Sequence, residues 1–326
     1  MRRREFIALL GGAVAWPHSA RAQQPSMPVI GLLSSRAPGE ALQLMAAFRQ
    51  GLKETGFVEG QNVAIEYRYA GNQNERLPAL AADLVQRRVN VIAAANTPAA
   101  LAAKAATTTI PVVFETGADP VRLGLVASLN RPGGNLTGVT NINTVIAPKR
   151  LELLHDLVPT ATVVALLVNP AELVLAETQS SDMLAAAHTL GLELHVLNAS
   201  TERDFDAVFA KLIQLRAGGL VIGGGPFLVA RQEQLAALTV RHAVPAVFEN
   251  REFAAAGGLM SYGGSTSDAY RLTGVYTARI LKGEKPNELP VQQSTKVELY
   301  INLKTAKALG ITFPLPLLGR ADEVIE

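Results

Sequence analysis

Short polar runs follow apolar, β-rich stretches along this chain, and they hold the side chains with chemistry to offer. They are Ser34-Ser35, Asn96-Thr97-Pro98, Thr116 to Pro120 with Asp119, Asn141-Ile142-Asn143, Asn169-Pro170, Gly223-Gly224-Gly225-Pro226-Phe227, Glu249-Asn250 and Ser261-Tyr262. The runs supply hydroxyls, amides, glycines and two carboxylates, but no His and no Cys. Such groups orient a small polar ligand by hydrogen bonds, and helix N-termini among them suit a carboxylate. The candidate ligand-binding residues are therefore Ser34, Ser35, Asn96, Thr97, Thr116, Asp119, Asn143, Asn169, Phe227, Glu249 and Tyr262.

Each candidate also has a structural reading. Asp119 before Pro120 suits an N-cap, as does Thr97 before Pro98, although a cap hydroxyl can also face a cleft. Asn96 and Asn169-Pro170 are common turn formers. Phe227 and Tyr262, with Phe114 and Phe248 behind them, are either apolar walls for a flat or branched ligand body or core rings. Glu249, directly after a buried strand, is the candidate for a ligand ammonium.

Catalytic patterns are missing. Gly263-Gly264-Ser265-Thr266-Ser267 is not the G-x-S-x-G of a nucleophile elbow. Gly223-Gly224-Gly225 lacks the spacing of a dinucleotide fingerprint, and there is no phosphate-binding P-loop. His155, His188, His195 and His242 show no metal-ligand spacing. The expectation is no cofactor, no metal and no enzyme activity.

The elements that must position these runs alternate between β-type and amphipathic stretches. Strands are expected at Val29-Leu33, Val63-Tyr69, Val91-Ala95, Pro111-Glu115, Leu136-Val139, Val163-Val168, Glu193-Leu197, Leu220-Ile222, Ala246-Phe248, Leu259-Tyr262 and Val297-Ile301. Helices are expected at Glu40-Thr55, with Met45, Phe48 and Leu52 on one face, at Leu77-Arg87, from Pro98, near Pro120, and at Lys149-Leu157, Ala171-Leu190, Phe205-Leu215, Gln232-His242 and Ser267-Lys282. Continuous apolar strands between helices imply parallel sheets covered on both faces. In such α/β sheets ligands bind beyond the carboxyl ends of the strands, where the polar runs lie. Two sheets suit the length better than one of about ten strands. The division falls at 27–141 plus 264–290 for a first lobe and 142–263 plus 291–326 for a second.

Residues 1–22 read as an export signal: Arg2, Arg3 and Arg4, an apolar run from Phe6 to Ala15, and an A-x-A end at Ala20-Arg21-Ala22. Arg3-Arg4-Glu5-Phe6-Ile7 resembles the core of a twin-arginine signal. Cleavage after Ala22 would place the protein in the periplasm. It would also remove Arg2, Arg3, Arg4, Arg21 and Glu5, leaving 26 basic and 27 acidic residues and a formal charge of −1. No polycation then remains for nucleic acid or an anionic membrane. With no Cys at the cleavage site, no lipid anchor is expected, and no later apolar run reaches the roughly 20 residues of a membrane span.

Several blocks resemble a known family. Met1-Arg2-Arg3-Arg4-Glu5-Phe6-Ile7, Gly117-Ala118-Asp119-Pro120-Val121, Arg131-Pro132-Gly133-Gly134-Asn135-Leu136-Thr137-Gly138-Val139, Pro148-Lys149-Arg150-Leu151-Glu152-Leu153-Leu154 and Ile301 to Gly310 are similar to the ABC-transporter substrate-binding family that includes tryptophan- and tyrosine-type binding proteins. The resemblance implies the type I periplasmic-binding-protein fold, with two Rossmann-like α/β lobes joined by a three-strand hinge. It also implies a receptor that closes on a small ligand, an amino acid or an aromatic or branched acid, and presents it to an inner-membrane ABC permease with its ATPase. Rival readings are a ligand-sensing receptor for a membrane signalling protein and an extracytoplasmic enzyme. One block departs from the family: Gly225-Pro226-Phe227 stands where members often carry Thr-Asp-Asn.

Overall fold

The structure, a computed structural model, describes residues 27–293 and 297–326. The expected export signal at 1–22 lies outside the described residues. The strands are β1 (Val29–Ser34), β2 (Ala64–Tyr69), β3 (Val91–Ala94), β4 (Val112–Thr116), β5 (Leu136–Thr140), β6 (Val163–Val168), β7 (Glu193–Asn198), β8 (Gly219–Ile222), β9 (Ala246–Phe248), β10 (Met260–Gly264), β11 (Gln292–Gln293), β12 (Val297–Asn302) and β13 (Glu323–Ile325). The helices are α1 (Leu42–Glu54), α2 (Leu77–Gln86), α3 (Thr97–Ala106), α4 (Ala147–Leu157), α5 (Leu173–Leu190), α6 (Asp204–Leu215), α7 (Pro226–Ala230), α8 (Gln232–Arg241), α9 (Arg251–Ala255), α10 (Thr266–Leu281), α11 (Leu303–Ala308) and α12 (Leu315–Leu318).

Two sheets organise the chain. The first runs β11-β5-β4-β3-β1-β2 and the second β13-β12-β10-β9-β8-β6-β7. Central strands such as β3, β4 and β8 are buried along their whole length, as parallel strands covered on both faces must be. The pairing is parallel except between β10 and β12, which run antiparallel from Met260↔Ile301 to Gly264↔Val297. The second sheet is thus mostly, rather than wholly, parallel.

Four apolar clusters form the core, one on each face of each sheet. In the cluster under α1, Met45, Phe48 and Leu52 pack with Tyr270 and Tyr276 of α10. The backbones of α1 and α10 come very close. A Cβ on Gly51 would lie 1.8 Å from the Arg271 carbonyl oxygen, and one on Gly274 would lie 2.1 Å from that of Phe48. Residues late in the chain therefore complete the first sheet's layer.

The chain passes between the sheets three times: between β5 and α4, between β10 and α10, and between β11 and β12. Asparagines tie the first two passages together. Asn143 Nδ2 donates to the Gly264 carbonyl at 3.2 Å, and the Gly264 N–H donates to Asn143 Oδ1 at 2.7 Å. Asn141 Nδ2 reaches Thr266 Oγ1 at 3.5 Å. Arg150 of α4, wholly buried, donates to the carbonyls of Asn143 and Tyr262 at 2.7 and 3.1 Å and so holds both passages.

Several expectations are corrected. The stretch near Pro120 is not helical; Gly124, with φ +67°, ends it after one turn. The loops after β8 and β9 carry the short helices α7 and α9. Gln292 and Gln293 pair with Val139 and Thr140, so the first sheet extends beyond residue 290, into the range assigned to the second lobe.

Candidate functional site

The carboxyl ends of β1, β3 and β4 face those of β6, β8 and β9 across a cavity of about 40 Å³. Arg36, Asn96, Thr97, Glu115, Gly117 and Asn141 line it from the first sheet's side, and Leu175, Gly225, Pro226, Val229 and Glu249 from the second's. Thr144 and Thr266, from the passages between sheets, complete the wall.

The hydroxyls and amides on the first side are mostly engaged with one another. Thr97 Oγ1 and Thr116 Oγ1 lie 2.7 Å apart. Asn96 caps α3 by accepting from the Ala99 N–H at 3.2 Å, and it donates to Ser34 Oγ at 3.2 Å. Ser34 Oγ also accepts from the Arg36 N–H. Ser35 Oγ is buried without a partner.

Charged groups dominate the centre. Arg36 is buried, and its Nη1 donates to Tyr270 Oη at 2.7 Å, while the tyrosine hydroxyl donates to the Ala95 carbonyl. Arg36 Nε has no partner. Three buried glutamates surround it. Glu115, at the end of β4, accepts from Asn141 Nδ2 at 3.0 Å. Glu172 Oε1 accepts from Asn169 Nδ2 at 3.2 Å and from the Phe227 N–H at 3.3 Å. Glu172 Oε2 and Glu249 Oε2 are buried with no hydrogen-bond partner. The nearest cation to Glu249 Oε2 is Arg150 Nη2, at 3.9 Å.

Taking carboxylates out of water favours their neutral form. Burial pushes Glu115 up to about 8; Arg36 draws it back and Glu249 pushes it further up. Burial lifts Glu172 to about 7, against the hydrogen bonds from Phe227 and Asn169. Burial likewise raises Glu249, opposed by Arg150 and Arg36. Arg150 is drawn down to about 10 by burial, with Glu249 resisting.

The glycine run exists to let these carboxylates in. A Cβ on Gly224 would lie 2.3 Å from Glu249 Oε2, and one on Gly225 would lie 2.2 Å from Glu172 Oε2. Gln179 of α5 fixes the run, accepting from the Gly224 N–H at 2.6 Å and donating to its carbonyl at 2.9 Å. Among the described residues, no group of three or more His, Cys, Asp or Glu could hold a metal ion, and no helix is long and apolar enough to cross a membrane.

The structure sorts the sequence candidates. Asn96, Thr97 and Glu249 line the cavity, and Ser34, Ser35 and Thr116 are buried beside it. Asn143 spends its amide on Gly264, and Asn169 positions Glu172. Asp119 is exposed and accepts from the Val121 and Arg122 N–H groups, closing a turn. Phe227 gives the site only its main-chain N–H; its ring packs on Phe205 at 5.9 Å in the core. Phe114 and Phe248 are core residues and Tyr262 packs against the core, so of the two readings open for these rings the structure shows core packing rather than a ligand wall. Sequence reasoning missed Arg36, Glu115, Glu172 and Tyr270. Glu115 did leave a signal: a carboxylate inside the apolar run Val112 to Thr116 needs a reason to be buried.

The chain belongs to the ABC transporter substrate binding protein family, which it matches over residues 38–325. This is a family of substrate-binding proteins, not enzymes. A tyrosine-binding protein of Clostridioides difficile (strain R20291) is 26% identical over 264 residues, 81% of this chain and 75% of that protein. The fold matches an ABC domain in complex with L-Trp from Streptococcus pneumonia, with a TM-score of 0.82, 24% identity, and coverage of 92% of this chain and 100% of that one. It also matches the ligand-free, open structure of a substrate-binding protein with adhesive properties from Clostridium difficile, with a TM-score of 0.64, 23% identity, and coverage of 91% and 99%.

Proposed function

We propose that this protein is the periplasmic receptor of an ABC uptake system, exported by its first 22 residues, and that it closes two lobes on a small zwitterionic ligand. The lobes follow the two sheets, at 27–141 plus 264–293 and 142–263 plus 297–326, and the three passages between them form the hinge. The observation that carries the reading is the pair of unpartnered carboxylate oxygens, on Glu172 and Glu249, buried beside the unpartnered Nε–H of Arg36. A ligand ammonium completes the first two and a ligand carboxylate the third, together with the N-terminal end of α3. Amino-acid ligands in relatives, tyrosine by name and L-Trp by complex, support an α-amino acid head. The closed receptor then docks on an inner-membrane permease with its ATPase.

A thermal-shift and calorimetric panel of L-amino acids, their amides and simple carboxylic acids tests this. A zwitterion should bind, while its amide, lacking the carboxylate, and the matching acid, lacking the ammonium, bind weakly. Glu249→Gln should cost about 1.5–3 kcal/mol of binding, the range for a hydrogen bond to a charged group. Equal binding of simple acids and amino acids would exclude the ammonium site.

A further inference from the structure

A second concavity, of about 260 Å³, adjoins the polar cavity. Thr97 and Leu175 line both spaces. Glu172 lies next to both: its carboxylate packs against Gly225, which lines the cavity, and the residue is part of the second space's wall. The rest of that wall is largely aliphatic, with Leu77, Pro98 and Leu101 from α2 and α3 facing Leu173 and Val174 of α5. No aromatic ring lines it. Its outer end reaches solvent, where Leu173 and Val174 are 62% and 43% exposed.

We infer that this groove is a ligand subsite that takes an elongated aliphatic chain from a ligand whose ammonium sits on Glu172. The inference rests on the zwitterion site proposed above and adds the class of side chain. Three features carry it. The groove adjoins the cavity, and Thr97 and Leu175 belong to the walls of both. The buried, unpartnered Oε2 of Glu172 marks the point from which a substituent next to the ammonium would enter it. The outer end is open, so chain length is not capped, whereas an aromatic ring would meet no ring to stack on. Leu173 and Val174 are then exposed only until a chain covers them.

The test is calorimetric titration of the full protein with L-alanine, L-norleucine, L-2-aminooctanoate and L-tryptophan, repeated on Val174→Asp and Leu173→Asp. Both positions are exposed, so the variants should fold, which circular dichroism checks. Affinity should rise about three- to fourfold for each methylene buried along the aliphatic series, and 2-aminooctanoate should exceed tryptophan. Val174→Asp should weaken 2-aminooctanoate at least tenfold and leave alanine within twofold. A flat series, a preference for tryptophan, or equal weakening of all probes by Val174→Asp would overturn the subsite while leaving the zwitterion site standing. If no amino acid binds at all, the zwitterion site itself fails and the subsite with it.

Discussion

Glu40 and Arg231, 191 positions apart in the chain, meet at 2.7 Å and join the first sheet's half of the molecule to the second's. Asn72 donates to both Glu40 oxygens, at 3.0 and 2.8 Å, and Glu202 holds Arg231 from its other side. Burial works against the Glu40 charge, but the bonds from Asn72 and Arg231 outweigh it and hold the carboxyl below its ordinary range. Two further contacts cross at the rim: Arg122 on Asp182 at 2.7 Å, and Asn74 on the Ala171 carbonyl at 3.2 Å.

These rim contacts join the two halves, so on the closure proposed above they would bias the molecule toward its closed arrangement. Arg231→Ala should cost about 1 kcal/mol, the upper end for partly exposed ion pairs. Ligand affinity should fall roughly fivefold, and the radius of gyration of the ligand-free protein in X-ray scattering should rise. Unchanged scattering and affinity would show that the pair does not govern closure.

The raised carboxyls at the site give binding a pH dependence. With Glu172 near 7, its carboxyl carries a proton at mildly acidic pH, and burial raises Glu249 in the same direction. An ammonium pairs with the ionised form, so each proton must leave before the pair forms. Affinity for an amino acid should therefore weaken as pH drops below about 7, by up to about tenfold per unit for each proton released. Calorimetry in buffers of different ionisation enthalpy would count those protons; a pH-independent constant between 5.5 and 8 speaks against the assignment.

Glu115 predicts a stability slope of the same origin. Its folded carboxyl titrates near 8, while an unfolded glutamate titrates near about 4.3. Between these values the folded state holds the extra proton, so the ligand-free protein should lose stability as pH rises from about 4.5 toward 8. Glu172 and Glu249 add to the slope with the same sign. Glu115→Gln, which keeps the shape and never ionises, should flatten it in chemical denaturation at pH 5, 6.5 and 8. A parallel slope in the variant would assign the effect to other groups.

Gly225→Ala should damage both fold and site. The residue has φ +149°, and the new methyl would press on Glu172 Oε2. Strain in this region costs about 1–3 kcal/mol before any displacement of the carboxylate. Gly257→Ala is the control, since Gly257 has φ +102° but open space around it. Both should lower the melting midpoint, and only Gly225→Ala should also weaken the ligand.

The sequence made the scaffold legible because its code is local. Val29 to Leu33 is an apolar run and forms a buried strand; Met45, Phe48 and Leu52 share a helical face and sit in the core. The rule that ligands lie beyond strand ends placed Asn96, Thr97 and Glu249 at the cavity. It could place a loop, but not the direction of a side chain. Phe227 was assigned to the right loop, yet α7 turns its ring back onto Phe205 and beneath Arg231. Arg36 and Glu172 were missed because their partners are not local in sequence: the Phe227 N–H that reaches Glu172 lies 55 positions on. Tyr270, which holds Arg36, is 234 positions away.

The close approach of α1 and α10 also fixes the order in which the molecule can be finished. The α1 face bearing Met45, Phe48 and Leu52 is covered by Tyr270 and Tyr276, so an emerging chain must wait more than two hundred residues to complete its first layer. Contacts of such long sequence separation slow folding, because loop closure comes before the contacts that reward it. A nascent chain ending before Thr266 would still show this apolar face. On the export proposed above, that delay would lengthen the interval in which the chain can still be threaded through a channel in extended form.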